Sequence, residues 1–387
     1  MSAIIHGDCL EELKKLEDNS VDAVITDPPY GLSNTKPQQV ADVLKAWVTG
    51  DTKVVPAGKG FMGADWDSFV PPPAVWEECM RVLKPGGHMA VFAGARTQDL
   101  MGLSIRLAGF EIRDTLGWIY VSGFPKSHDI GKAINKAAAA TSEAQRWDGW
   151  GTALKPAIEP IILARKPLDG TVANNVLAHG VGGINIDACR IETTETLGRA
   201  KAGWGSKAVG ADDYGRFNSL GITKEGGRFP ANVLLDEHAA KEMDKQSGNL
   251  SPGARHGNTA TRPKFNGATY NGGKVYDGKI DEPRVAMDSG GGASRFFPVF
   301  KYQAKAPKKE RPVIEREDGS KIQHSTVKPL ALMEWLVSLI VPPGGTVLDP
   351  FAGSGTTLQA ALNKGFTPIG IEQDAEYIKL IEQRLQP

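Results

Sequence analysis

The sequence predicts an α/β protein: one doubly wound, mostly parallel sheet interrupted by an irregular insertion. Three observations predict it. Apolar runs of strand length alternate with helical patterns up to about residue 167. The same alternation resumes after Ser325. Between them, Leu168–Ser325 has weak periodicity and holds 23 of the 45 glycines. These breaks divide the chain into residues 1–167, 168–325 and 326–387, with the outer two parts forming one sheet.

Each element follows from local chemistry. Ala3-Ile-Ile is a short apolar run ending at His6-Gly-Asp-Cys. Leu10, Leu13 and Leu16 share one face of a helix. Val21–Thr26 reads as a buried strand stopped by Asp27-Pro-Pro-Tyr. Pro71–Leu83 reads as a helix, its prolines tolerated at the start. Lys84-Pro-Gly-Gly reads as a turn. His88–Ala93 is a strand, Thr97–Leu107 a helix, Phe110–Tyr120 and Ile158–Ala164 strands. In the last part, Pro329–Ile340 is an amphipathic helix, Thr346–Asp349 a strand, and Gly355–Asn363 a helix. Thr367–Glu372 and Ala375–Leu385 complete the pattern as strand and helix.

Composition sets limits. The 45 basic and 45 acidic residues cancel, and 41% of residues are hydrophobic, as in ordinary globular proteins. Cys9, Cys79 and Cys189 are far apart, which argues against disulfide scaffolds and zinc knuckles and suits a reducing cytoplasm. No run approaches a membrane span, and the N-terminus lacks a signal pattern. No His-Glu-x-x-His or Cys-x-x-Cys suggests a metal site. The neutral total hides an asymmetry: Ser251–Arg311 carries 12 basic and 5 acidic residues.

Two motifs carry chemistry. Asp27-Pro28-Pro29-Tyr30 ends a strand, where open α/β sheets bind ligands. The prolines fix the backbone and remove two donors, leaving carbonyls as acceptors. A carboxylate, an acceptor-only backbone and an aromatic ring suit a planar amine. The second motif is Asp349-Pro350-Phe351-Ala352-Gly353-Ser354-Gly355, a strand running through a glycine turn into a helix. Glu372 ends the next strand, in place for ribose hydroxyls. The third glycine of the dinucleotide fingerprint is replaced by Leu358, and no Gly-Lys-Ser/Thr follows. The turn therefore fits a nucleoside without a polyphosphate.

These residues resemble the S-adenosylmethionine-dependent amino-methyltransferases of DNA. Asp27-Pro-Pro-Tyr matches the catalytic motif and Phe351-Ala-Gly-Ser-Gly the cofactor motif of that family. Their order, catalytic first, is like the permuted β group, with phage- and prophage-type adenine methylases as the nearest kind. Gly7-Asp8-Cys9, Val82-Leu-Lys-Pro-Gly-Gly, His324-Ser-Thr-Val-Lys-Pro and Gly370-Ile-Glu match further stretches in order. Gly227-Arg-Phe-Pro-Ala-Asn-Val and Ser294-Arg-Phe-Phe look like stretches of the phage-type enzymes.

The resemblance implies a class I methyltransferase fold with residues 168–325 as target-recognition region. It implies methyl transfer from S-adenosylmethionine to adenine N6 in double-stranded DNA, by base flipping and direct in-line displacement. Asp27 and the Pro28 carbonyl, within the rigid Pro28-Pro29 turn, would hold the amine, and Tyr30 would stack on the base. Phe351, Gly353 and Gly355 would line the cofactor's amino-acid end, Glu372 its ribose, and Asp8, beside Cys9, its adenine. Thr326 and Lys328 would border the methionine carboxylate. Asp349 is assigned to the cofactor side, with turn capping as the equal alternative. The resemblance leaves open a homodimer and a cognate restriction enzyme.

The basic segment would contact phosphates, with Tyr270, Tyr276, Phe296 and Phe297 interleaved and the two phenylalanines expected in the core. Lys36–Asp67, a long insertion after the catalytic turn, is expected to order partly on ligand binding. Cytosine N4 is the alternative target; RNA or protein-glutamine methylation fits the motif order less well. A nucleic-acid-binding protein without catalysis is the alternative of another class.

Overall fold

The computed structural model describes residues 3–58, 60, 67–121, 123, 127–138, 141–193, 227–249, 290–300, 311–316, 318–324 and 326–386. The chain opens with β1 (Ala3–His6), α1 (Cys9–Leu13), β2 (Val21–Thr26) and α2 (Pro37–Val48). Then follow α3 (Pro73–Val82), β3 (Leu83–Phe92), α4 (Gln98–Leu107) and β4 (Glu111–Ile119). Two helices, α5 (Ile130–Ala138) and α6 (Thr141–Arg146), precede β5 (Ile158–Arg165) and α7 (Val172–His179). The middle contributes β6 (Val233–Asp236), α8 (Glu237–Ser247) and β7 (Val299–Phe300). A small hairpin of β8 (Val313–Glu315) and β9 (Lys321–Gln323) leads to α9 (Leu330–Ile340). The chain closes with β10 (Thr346–Asp349), α10 (Thr356–Asn363), β11 (Thr367–Glu372) and α11 (Ala375–Leu385).

The main sheet has nine strands in the order β1-β11-β10-β2-β3-β5-β4-β6-β7. Every pairing is parallel except those of β5, which runs antiparallel to both β3 and β4. All six residues of β2 are buried, the signature of a strand covered on both faces. On one face Val24, Met89, Val91 and Leu348 pack against Trp76 of α3 and Met101 and Ile105 of α4. On the other, Ala23, Ile25, Phe92 and Val347 pack against Leu332, Leu336 and Val337 of α9 and Ala360 of α10. The doubly wound, mostly parallel sheet expected from the sequence is the observed one.

The described parts of residues 168–325 add β6 and β7 to the edge of that same sheet, beside β4. Two local expectations are corrected. Lys84-Pro-Gly-Gly is not a chain-reversing turn. It lies within β3 as a bulge: Leu83 pairs with Val21 and His88 with Ala23, and Gly86 takes the left-handed φ of 78° that lets the extra residues bow out. Within Lys36–Asp67, Pro37–Val48 forms a packed helix. Val43 and Trp47 are buried, and the Trp47 ring meets Phe69 edge-on at 5.8 Å. Residues 59 and 61–66 of that stretch lie outside the described residues. Finally, only one of the adjacent phenylalanines is in the core. Phe297 packs beside Leu235 and Met243, whereas Phe296 is 40% exposed. The guanidiniums of Arg228 and Arg295 cover its ring at 4.9 and 4.3 Å, which compensates for exposing it. Tyr270 and Tyr276 lie outside the described residues, as does most of the basic segment.

Candidate functional site

The strand order places the site. β10 passes on to β11 in one direction and β2 to β3 in the other, so the sheet reverses between β10 and β2. Ligands bind at such a switch point, outside the carboxyl ends of the strands. Asp27–Tyr30 follows β2 and Pro350-Phe351 follows β10, on either side of that crevice. A cavity of about 1030 Å³ opens there, lined by both segments. It extends from Glu372 and Asp8 at one end to Trp118, Tyr120 and Glu159 at the other.

The Asp27 end is a network of side chains. Tyr30 Oη donates to Asp27 Oδ1 at 2.8 Å, with Glu159 Oε2 as a longer acceptor at 3.4 Å. Lys328 Nζ donates to Asp27 Oδ2 at 2.7 Å and to Tyr30 Oη at 3.1 Å, and lies 3.3 Å from Glu159 Oε2. One buried ammonium therefore serves two carboxylates. Burial opposes its charge, but the Asp27 and Glu159 carboxylates outweigh that and raise its pKa above the ordinary lysine value. Burial, then the charges of Asp27 and Glu159, raise the Tyr30 pKa well above the phenol value, so the hydroxyl keeps its proton. The backbone of the turn is held as well: Thr97 Oγ1 donates to the Tyr30 carbonyl at 2.6 Å, and Gly31 N donates to buried Asp67 Oδ1 at 2.8 Å.

The Glu372 end is held by backbone. Glu372 Oε2 accepts from Gly353 N at 2.8 Å and Oε1 from Asp374 N at 2.9 Å. Burial raises its pKa even so. Phe351 lines the cavity and lies 6.4 Å from the Trp76 ring. Cys9 is a neighbouring wall residue; burial, then the Asp8 charge, push its thiol up to about 12. Thr326 and His324 also line the cavity, and the His324 ring stacks edge-on against Tyr377 at 4.7 Å.

Asp27, Pro28, Pro29, Tyr30, Asp8, Cys9, Thr326, Lys328, Phe351 and Glu372 thus come together around one cavity. Several of the expected residues also make contacts within the protein. Lys328 lines the cavity and points its ammonium at Asp27 and Glu159. Asp8 lines the cavity, but its Oδ1 caps α1, accepting from Leu10 N and Glu11 N at 3.0 and 3.2 Å. Asp349 is buried behind the wall. It accepts from Thr26 Oγ1 at 2.7 Å and Phe351 N at 3.1 Å, the turn-capping alternative.

Gly353 and Gly355 are not among the cavity-lining residues. A Cβ on Gly353 would meet the His324 ring at 3.0 Å, and one on Gly355 would meet Ile381 at 3.0 Å. These glycines serve side-chain packing and, at φ 55° and 78°, turn geometry. Glu159, Trp118 and Tyr120 escaped sequence reasoning. The one available signal was a carboxylate opening the otherwise apolar strand Ile158–Arg165.

Comparison with known proteins adds an independent result. The model of a family described as DNA methylase, of the N6/N4 type, matches residues 21–383. The Type II methyltransferase M.HindIII of Haemophilus influenzae is 26% identical over 212 residues, 48% of this chain and 65% of that protein. DNA adenine methyltransferase YhdJ of Escherichia coli is 25% identical over 382 residues, 99% of this chain and 82% of that protein. Among solved structures, M1.HpyAVI in complex with SAM has 17% identity and a TM-score of 0.42, with both chains fully covered. The cytosine-N4-specific PvuII DNA methyltransferase has 14% identity and a TM-score of 0.47, covering all of this chain and 86% of that one.

Proposed function

The chain belongs to the N6/N4 DNA methylase family, and from that premise we propose that it transfers a methyl group from S-adenosylmethionine to adenine N6 in double-stranded DNA. One observation carries the reading: a single crevice holds an amine-accepting turn at one end and a nucleoside-type carboxylate at the other. Its volume is at the upper limit of the roughly 300–1,000 Å³ typical of one small ligand, so it accommodates a cofactor beside a flipped base.

The residues fit the cofactor. Glu372 would accept from ribose hydroxyls, its two oxygens already aimed by Gly353 N and Asp374 N. Phe351, Val75 and Ile371 give apolar walls. Asp8 stands at the same end and keeps its second carboxylate oxygen for an adenine amine. Bound there, S-adenosylmethionine supplies a methyl group activated by its sulfonium.

The protein's part is acceptor positioning. Asp27 and the Pro28 carbonyl accept the two amine hydrogens, which turns the nitrogen lone pair toward the methyl group. Tyr30 keeps the carboxylate aligned and, with Trp118 and Tyr120, offers aromatic surface to the base. Orientation and fixed charge supply the acceleration. Extruding the base costs a few kcal/mol, which phosphate contacts offset. Residues 168–325 serve as the target-recognition region, the most basic part of the chain.

The test is incubation with tritiated S-adenosylmethionine and unmethylated genomic DNA, followed by mass spectrometry of the nucleosides. N6-methyladenine is the expected product. N4-methylcytosine would keep the mechanism and change the base. No methylated nucleoside, with cofactor still bound, would point to a binding protein.

A further inference from the structure

We propose that Glu159 is a positioning residue of the methyl-transfer site, acting through the ammonium of Lys328 to hold the Asp27 carboxylate in its amine-accepting orientation. The proposal rests on the function proposed above. Glu159 is paired in register with Trp118 where β4 and β5 run antiparallel. Because β5 runs antiparallel to β3 and β4, its first residues lie where those strands end, and it delivers a carboxylate to the catalytic crevice. Lys328 comes from just before α9 on the opposite side and lies between the two carboxylates, 2.7 Å from Asp27 and 3.3 Å from Glu159.

The chemistry explains the need for three groups. A lysine facing Asp27 alone would be drawn onto it and compete with the target amine for its lone pairs. A second carboxylate divides that attraction, so that Asp27, which already accepts from Tyr30 and Lys328, keeps a lone pair for the substrate amine. Conversely, two carboxylates without the ammonium would repel each other in a poorly solvated place, and one would take up a proton. A protonated Asp27 carries an O–H donor and has lost its negative charge, so it accepts from an amine more weakly. The other titratable groups facing the trio are Tyr30, Tyr120, His324 and Asp349; none supplies a lasting positive charge. Lys328 is therefore the one cation in contact with this carboxylate pair among the described residues.

The arrangement predicts a reversal of sign. Glu159→Gln in the otherwise unchanged protein should lower kcat roughly 10- to 100-fold while leaving cofactor affinity unchanged. Lys328→Met should lower kcat at neutral pH and move the acid limb of the pH–rate profile to higher pH, since activity is lost as pH falls through the raised carboxyl pKa. Adding Glu159→Gln to Lys328→Met removes the repulsion and should restore activity at neutral pH relative to Lys328→Met alone.

Infrared difference spectra of the free proteins provide a readout independent of activity. A protonated carboxyl should appear at neutral pH in Lys328→Met and vanish in the double variant. Cofactor binding reports that each variant is folded. Two results would overturn the proposal: an unchanged kcat and pH profile in Glu159→Gln, or a double variant no better than Lys328→Met with no carboxyl signal in either. Were the unaltered protein to methylate no DNA, the proposed function would fail on that result, and the infrared experiment would still decide the electrostatic arrangement.

Discussion

The two ends of the crevice are built by opposite means. At the Glu372 end, a carboxylate is fixed by backbone N–H groups of Gly353 and Asp374, at most 19 residues away in the chain. At the Asp27 end, side chains hold side chains, and the partners lie up to 301 residues apart. A backbone-held end keeps its shape whenever its strand and turn fold. A side-chain-held end depends on every member being present with the correct charge. The difference teaches where each kind of damage should appear: binding and stability at the first, turnover and pH dependence at the second.

The largest effect tests the Asp27 end. Asp27→Ala removes the acceptor proposed for the amine together with that of Lys328, and leaves a buried cation with Glu159 as its remaining carboxylate. Turnover should fall by roughly 100- to 1,000-fold or more, as when a preorganised hydrogen-bonding group is deleted. Cofactor affinity, measured by calorimetry, should stay within a few-fold of the unaltered protein. A parallel loss of affinity would show that the two ends are not separable.

The next effect tests the other end. Glu372→Ala deprives Gly353 N and Asp374 N of their acceptor as well as removing the carboxylate meant for ribose. Each charged hydrogen bond is worth about 1.5–3 kcal/mol, so the cofactor Kd should rise roughly tenfold to a hundredfold. At saturating cofactor, kcat should change far less. A fall in kcat without a change in Kd would break the comparison.

The same contrast explains how much was legible in the sequence. Strands and helices with clear periodicity could be read, and Asp27, Tyr30, Phe351 and Glu372, which line one cavity, could be singled out as candidates because they end or follow strands. Glu159 was not found, because a carboxylate in an apolar strand gains meaning only when the antiparallel pairing of β5 brings it to Lys328. The carboxylates that Lys328 contacts were not legible: order along the chain reports proximity to a motif, not the direction of a long side chain. Gly353 and Gly355 also have packing neighbours that their motif does not show. A glycine's pattern does not reveal whether a ligand, His324 or Ile381 occupies the space beside it. Lys84-Pro-Gly-Gly has turn chemistry and indeed deforms the backbone, yet β2 keeps pairing on both sides of it.

A smaller effect, on stability, follows from Gly355. Gly355 has φ 78°, and an added Cβ would lie 3.0 Å from Ile381. Gly344 has a similar φ of 71° with nothing within 4 Å. Gly344→Ala should therefore cost only the left-handed backbone term, about 1–2 kcal/mol. Gly355→Ala should cost more, because Ile381 must also shift. Thermal unfolding of the pair isolates the packing contribution. Equal shifts in Tm would mean that Ile381 gives way freely.

The smallest effect concerns Asp349, which joins the two ends. It closes β10 beside β2, accepting from Thr26 on the Asp27 side and from Phe351 N on the cofactor side. Burial raises its pKa to about 6, although hydrogen bonds from Thr26 and others pull the other way. The sign of the consequence follows from proton counting. Between the ordinary aspartate value and about 6, the folded protein retains a proton that the unfolded chain has released. Stability from this group is therefore highest at low pH and is lost as pH rises through that window. Asp349→Asn removes the titration and should flatten this part of the stability–pH curve, with chemical denaturation at several pH values as the measurement. If the curve kept its slope, Asp349 would be ionised throughout, and the hydrogen bonds rather than burial would govern the junction between the two ends.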